Sequence, residues 1–514
     1  MHDAQLMTTK IILIHPPMVK PSEPPAGIGR LSACLQANAV SHKIIDANQE
    51  GLFHLLNKSA GSSDISGRWN IRACKNLESN IYALQDIGTY SNKSRYSRAV
   101  LDVNRVLNMA GKPHDANISL ADYTHSKLSP VKTSDLIFAA EHPEANPFYS
   151  YFQPHLTAAL QESPECIGFS LNYLSQALCT MAMIGFIKKI SPRQKIILGG
   201  SLVTSWVKIS GHPHLFSEWV DNVVAGPGEE KLLELLGIKP TLTGASTDYS
   251  LLADSRYLSP GFILPYSASC GCWWRKCAFC PEKAEDNPYL PQPAAKAAQE
   301  LRQLSGITRP SLIHLLDSSI SVALLQALIA DPPGAPWYGF ARATRHLADE
   351  DFCRALRKSG CVMLKLGIES GDQNVLDQLY KGIELQTVSL TLRALKKSGI
   401  ATYCYFLLGT PPEDETSATR TMDFVSDHAG CIDFLNLAIF NLPATSIEAQ
   451  SLATKDFYEG DLSLYKSFQH PAGWHRQNVR NFLEKTFKRH PAITPILQHT
   501  PEYFTSNHAP FLDR

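Results

Sequence analysis

Cys270 to Cys280 reads CGCWWRKCAFC, and the rest of the chain takes its meaning from this short run. Cys272, Cys277 and Cys280 form a C-x4-C-x2-C group, with Phe279 just before the last thiol. So tight a spacing brings three thiolates round one point, as a soft metal centre requires, whether iron–sulfur or zinc. Three close ligands leave a fourth metal position open to chemistry. The loop follows the apolar, strand-like FILPYSAS (Phe262 to Ser269), so it falls at the carboxyl end of a strand. That is where α/β enzymes gather their sites. Cys270 offers a rival first ligand at C-x6-C spacing. A structural zinc site would want a second ligand pair at C-x2-C or H-x3-H spacing. Cys353, Cys361, Cys404 and Cys431 instead stand singly in strand and helix patterns and read as small core residues.

The cysteine group resembles the cluster loop of the radical S-adenosylmethionine superfamily, whose usual pattern is C-x3-C-x-aromatic-C. The first gap here is one residue longer. By that resemblance Cys272, Cys277 and Cys280 would ligate a [4Fe–4S] cluster, and S-adenosylmethionine would occupy the fourth iron.

At 514 residues the chain can hold two or three domains with full cores. Its formal charge balances to zero, so no electrostatic footprint for nucleic acid or an anionic membrane is expected. Twelve cysteines are too dilute here for a disulfide scaffold. The opening MHDAQLMTTK lacks the apolar core of a signal peptide. No apolar run approaches the ~18–20 residues of a transmembrane helix. The expectation is a cytoplasmic protein, in a reducing compartment where an oxygen-sensitive cluster survives.

Upstream of the cysteines, short apolar runs alternate with helical patterns. KIILIH (Lys10 to His15), HKIID (His42 to Asp46), ECIGFS (Glu165 to Ser170), KIILGG (Lys195 to Gly200) and NVVAG (Asn222 to Gly226) read as strands. Gly29 to Val40 reads as a helix, and Asn48 to Asn57 as the start of another. Alternation at this spacing predicts a doubly wound, Rossmann-like parallel sheet with its loops at the carboxyl edge. Glycines at strand ends let backbone amides approach a ligand closely. The order IHPP, PPAGIGRLSA, IIDA, IGFSLNYLS, ILGGSLVT, VVAGPGEE resembles the cobalamin-binding domain found before many radical S-adenosylmethionine domains. The likeness implies cobalamin contacts at Pro17, Gly27, Ser170, Gly199, Gly200, Ser201, Gly226 and Gly228. Cobalt-ligating domains carry D-x-H-x-x-G; the nearest string here, Asp46 to Gly51, has Asn48 in the histidine's place. A cobalamin bound here is therefore expected to lack a histidine ligand.

Residues 56–162 interrupt the alternation and read as a polar, largely helical insert within a 1–240 domain, with a strand-poor tail from His142 to Pro154. Residues 241–260 read as a linker. From Phe262 to residue 447, six strand–helix units predict a partial (β/α)6 barrel, with polar residues at successive strand ends. Asp317, Arg342, Glu369 and Ser370 hold such positions, as does GTPPE (Gly409 to Glu413) after YFLL. GIESG…L…KG (Gly367 to Gly382) and LKKSGI…LLGTPPED (Leu395 to Asp414) resemble the family's fourth- and fifth-strand signatures, with Pro412 where glycine is usual. By that resemblance Asp317, Arg342, Glu369, Ser370, Leu408 and Gly409 would contact S-adenosylmethionine. Glu369 would reach its amino or ribose groups, Arg342 its carboxylate, and the Leu408–Gly409 backbone its adenine. Residues 448–514 hold no cysteine and read as a helical C-terminal cap.

The resemblance implies reductive cleavage of S-adenosylmethionine and, with cobalamin, methylation or rearrangement of an unreactive carbon. A small-molecule or peptide substrate and an electron donor such as flavodoxin or ferredoxin would complete the system. Two alternatives carry different expectations: a non-catalytic cobalamin sensor or carrier with a vestigial barrel, and a cobalamin-free radical enzyme.

Overall fold

Ile11 to Ile14 is a run of four branched, fully buried residues, which favours extended backbone enclosed on both faces. It forms β1 of a computed structural model that describes residues 9–61, 66–239, 247–252, 256–504 and 507–512. The reading of the N-terminus lies outside those residues, as does that of much of the 241–260 linker.

The chain divides into two compact units, one of residues 1–260 with 458–464, the other of residues 261–457 with 465–514. In the first, β1 (Ile11–Ile14), β2 (His42–Ile45), β3 (Cys166–Ser170), β4 (Lys195–Gly199) and β5 (Asn222–Val224) form a parallel sheet in the order β2-β1-β3-β4-β5. Order reverses beside β1, so the loops after β1 and β3 flank a switch point, where such sheets bind ligands. Helix α1 (Ala26–Ala37) starts before the expected Gly29 because Pro25 caps it and accepts the Gly29 N–H. Ile28, Cys34 and Leu35 of α1 pack against Ile11, Leu13, Ile197 and Val224 in the core.

The insert is mainly helical, with Lys93–Gly111 its longest piece, and it adds a hairpin of Ala116–Ile118 with Tyr123–His125. Its tail holds no strand, as expected, and Tyr149–Gln161 is helical straight through Pro154. Tyr149 and buried Phe152 meet the ring of Phe186 at 5.9 Å each, and that packing outweighs the proline's lost hydrogen bond.

In the second unit, β6 (Ile263–Tyr266), β7 (Leu312–Leu315), β8 (Trp337–Ala341), β9 (Cys361–Glu369), β10 (Ala401–Leu408) and β11 (Phe434–Ile439) lie side by side in chain order, all parallel. This register sets the ends of β6, β7, β8 and β9 along one rim. The C-terminal stretch is not purely helical. Thr454–Asp456 and Tyr465–Phe468 form a small antiparallel sheet with Leu442–Pro443, which lies before residue 448, and helix Arg476–Lys485 follows. The bend at 458–464 belongs to the first unit instead: Leu462 donates to the Val131 carbonyl, and Asp461 accepts the Thr133 N–H at 2.8 Å. Lone polar–apolar alternation over three or four residues is too short a signal to separate such strands from loop.

Candidate metal and cofactor centre

The cysteine loop leaves β6 through Ser269 and Cys270, which pair antiparallel with Leu290 and Pro291. Asp317, just past β7, fixes that exit: its carboxylate accepts the Ala268 N–H at 3.1 Å and the Ser269 hydroxyl. Burial pushes its pKa up, and those hydrogen bonds pull it back. Asp317 thus braces the loop. At the far end, the Ala278 N–H donates to the Leu379 carbonyl at 3.0 Å.

All three thiols are free, Cys277 is buried, and Cys272 and Cys280 are half-buried. Among the described residues no three His, Cys, Asp or Glu side chains converge on a position for one metal ion. The donor set fits a cluster, in which each thiolate reaches a different iron. Burial raises the Cys277 thiol, against the nearby positive charges of Lys381 and Arg342. Burial likewise pushes Cys280 up to about 11, offset by backbone N–H groups of Lys283 and Glu282. Cys270 sits in the strand pair, opposite Leu290.

Arg342, at the end of β8, is buried against this loop. Its Nη1 lies 4.0 Å from Cys277 Sγ, and Nη2 donates to the carbonyls of Lys381 and Gly382. The guanidinium stands 4.4 Å from the ring centre of Trp274 and 5.5 Å from that of Trp273. Glu369 ends β9 with φ +72°, where the register with β10 slips. Its Oε1 takes a 2.9 Å ion pair from Lys381, itself buried and over the Phe279 ring at 5.4 Å. Arg342, Glu369, Cys277 and the loop aromatics are therefore brought together. The sequence alone assigns no role to Lys381, Trp273 or Trp274, although Lys381 belongs to the Lys381–Gly382 pair of the fourth-strand signature. A lysine in a polar loop gives no sign that it will be buried.

The remaining strand-end residues stand differently. Ser370 is fully buried, its hydroxyl 3.2 Å from that of Thr421 and accepting the Asp372 N–H. Leu408 is buried, and its carbonyl accepts the Phe440 N–H. Gly409, at φ +80°, donates its N–H to Glu413 and lines a cavity of about 40 Å³ with Phe440, Trp474 and Arg476.

On the first unit, the expected cofactor residues share the carboxyl edge of the sheet, held by two side chains sequence did not single out. Asn172 donates to the Ser170 hydroxyl at 3.1 Å and accepts the Ser201 N–H at 3.1 Å. Thr204 accepts the Gly226 N–H at 2.9 Å and donates to the Gly200 carbonyl at 3.0 Å, tying the β4 turn to the β5 turn. Gly27 and Gly226 are exposed, Gly199 and Gly228 half-buried, and Pro17 buried. A cradle of this kind admits a ligand at Gly27, where an added Cβ meets only Ser170 Oγ, at 3.8 Å. Asp46 caps α2 (Ala47–Ala60) and accepts the Tyr257 hydroxyl at 2.8 Å. Asn48 is buried and accepts the Val19 N–H at 2.8 Å. The Asp46–Gly51 string is a helix start.

Two parallel sheets, one with glycine turns at its carboxyl edge and one with three thiols at its rim, give the fold of cobalamin-dependent radical S-adenosylmethionine enzymes. The methyltransferase TsrM from Kitasatospora setae, solved with cobalamin and a [4Fe–4S] cluster, aligns at TM-score 0.53 and 15% identity, covering 92% of this chain and 85% of that one. OxsB, a cobalamin-dependent radical enzyme solved with aqua-cobalamin, aligns at TM-score 0.58 and 12% identity, covering 92% of this chain and 66% of that one. In sequence, the anaerobic magnesium-protoporphyrin IX monomethyl ester cyclase of Rubrivivax gelatinosus is 24% identical over 277 residues, or 45% of this chain. The match spans 48% of that relative, about half its length. No family model matches the chain. No helix among the described residues is long and apolar enough to cross a membrane.

Proposed function

We propose that this chain is a radical S-adenosylmethionine enzyme that works with cobalamin on an unreactive carbon of a small-molecule or peptide substrate. One observation carries the reading: three free thiols on a braced strand-end loop share their surroundings with Arg342, Glu369 and Lys381. When bound, a [4Fe–4S] cluster supplies single electrons to S-adenosylmethionine, and cobalamin carries a methyl group or steers a rearrangement. Cys272, Cys277 and Cys280 hold the cluster. Glu369 presents a carboxylate, oriented by Lys381, to the amino or ribose groups of S-adenosylmethionine. The glycine turns after β4 and β5 and the Gly27 turn admit the corrinoid. Methylation is the first choice of reaction, and the relative's cyclase activity keeps ring closure within the class. Flavodoxin or ferredoxin is the expected reductant, in the cytoplasm.

Anaerobic reconstitution with iron, sulfide and cobalamin tests this. The expected result is a brown protein that cleaves S-adenosylmethionine reductively, releasing 5′-deoxyadenosine and methionine. A protein that binds cobalamin yet never turns S-adenosylmethionine over would instead be a carrier or sensor.

A further inference from the structure

Arg342 is a buried cation whose fork is already occupied. Nη2 donates to two carbonyls, Nη1 faces the Cys277 sulfur, and the guanidinium lies against both Trp273 and Trp274. Those partners orient the charge but do not neutralise it, and a carboxylate would find no free pair of parallel N–H donors. A segment of three residues holds the arrangement. The Tyr380 carbonyl accepts the Trp274 indole N–H at 2.9 Å, Lys381 offers its carbonyl to Arg342, and Gly382, at φ +64°, leaves room for the Trp274 ring. An added Cβ at Gly382 would stand 2.0 Å from that ring. Lys381 brings a second buried cation to the loop, its ammonium over Phe279 and paired with Glu369.

We propose that Arg342 and Lys381, clamped by Tyr380–Gly382 onto the aromatic residues of the cysteine loop, are positioning residues that raise the reduction potential of the cluster. Arg342 then serves the Cys277 side of the cluster, and is not the anchor for the S-adenosylmethionine carboxylate. The physical reason is charge. One-electron reduction adds a negative charge to an already anionic cluster, and nearby buried cations stabilise the reduced form more than the oxidised one. The inference rests on the cluster reading above.

The test is an anaerobic dithionite titration of the reconstituted full chain, without S-adenosylmethionine, followed by electron paramagnetic resonance of the reduced cluster. Wild type is compared with Arg342→Lys, Arg342→Met and Lys381→Met. The Met variants are expected to reduce at a more negative potential, with Arg342→Lys returning close to wild type. A wild-type potential in Arg342→Met overturns the proposal. If Arg342→Met fails to hold a cluster, Lys381→Met decides on the same criterion. Loss of the cluster from both, with native circular dichroism, also overturns it, because the cations would then serve ligation and not potential. Failure of the wild-type chain to take up any cluster would sink the parent reading instead.

Discussion

Burial lifts the Glu413 carboxyl to about 8, against the pull of the Gly409 N–H that it accepts. The group is therefore protonated in the folded protein at neutral pH and ionised in the unfolded chain. Its contribution to stability is complete below the ordinary glutamate range and is lost as pH rises through about 8. Stability measured by denaturant should fall over that window, with a slope from this residue of at most ~1.4 kcal/mol per pH unit. Glu413→Gln should flatten the dependence; an unchanged slope would mean that the carboxyl titrates normally. The thiols make a second residue-scale case. Cys272→Ala, Cys277→Ala and Cys280→Ala should each lose the cluster, because a thiolate ligand is gone. Cys270→Ala should keep it, since Cys270 belongs to the strand pair with Leu290. Iron and sulfide content reads this directly, and the reverse pattern for Cys270 and Cys272 would make C-x6-C the true spacing.

At the scale of the element, two glycines in the first unit separate fold from ligand. Gly200 sits at φ +117°, and a Cβ there would lie 2.2 Å from the Leu171 carbonyl oxygen. Its glycine is demanded by the crossing of the β3 and β4 turns, so Gly200→Val should lower the melting temperature of the protein with no cobalamin present. Gly27, in the first turn of α1, is exposed and has open space beside Ser170. Gly27→Val should keep the wild-type melting temperature yet take up less cobalamin. Equal uptake in wild type and Gly27→Val would place the corrinoid elsewhere. Both residues look alike in the sequence, as glycines in a turn. Only the tertiary crossing distinguishes the one that serves the backbone from the one that leaves room.

For the molecule as a whole, the histidines near the first sheet's carboxyl edge would decide how the cobalt of a bound cobalamin is coordinated. His15 is buried just past the end of β1, where burial lowers its pKa against the charge of Asp46. His54 stands on α2 with its ring 3.0 Å from the Ser150 hydroxyl. Asn48 is committed to Val19. A bound corrinoid should thus be base-off without an imidazole ligand. The Co(II) form should show no nitrogen superhyperfine splitting from the protein in electron paramagnetic resonance, and resolved splitting would point to His15 or His54.

By itself the sequence determined the two parallel sheets, because period, strand length and strand-end glycines are local properties that survive without a partner. It also marked out the cysteine loop, whose three thiols lie within a few residues of one another. It did not determine the surroundings of those thiols. Arg342 and Trp274 are far apart in the chain and meet only because β8 and β6, separated by β7, end on the same rim, while Lys381 is brought to Glu369 by the short helical segment after β9. Nor could it show that Asp317 braces the loop while Ser370 faces Thr421, since both are polar residues at strand ends. The C-terminal strands were hidden for the same reason: short antiparallel pairs acquire their identity from the neighbour they hydrogen-bond, and that neighbour is chosen by the folded chain.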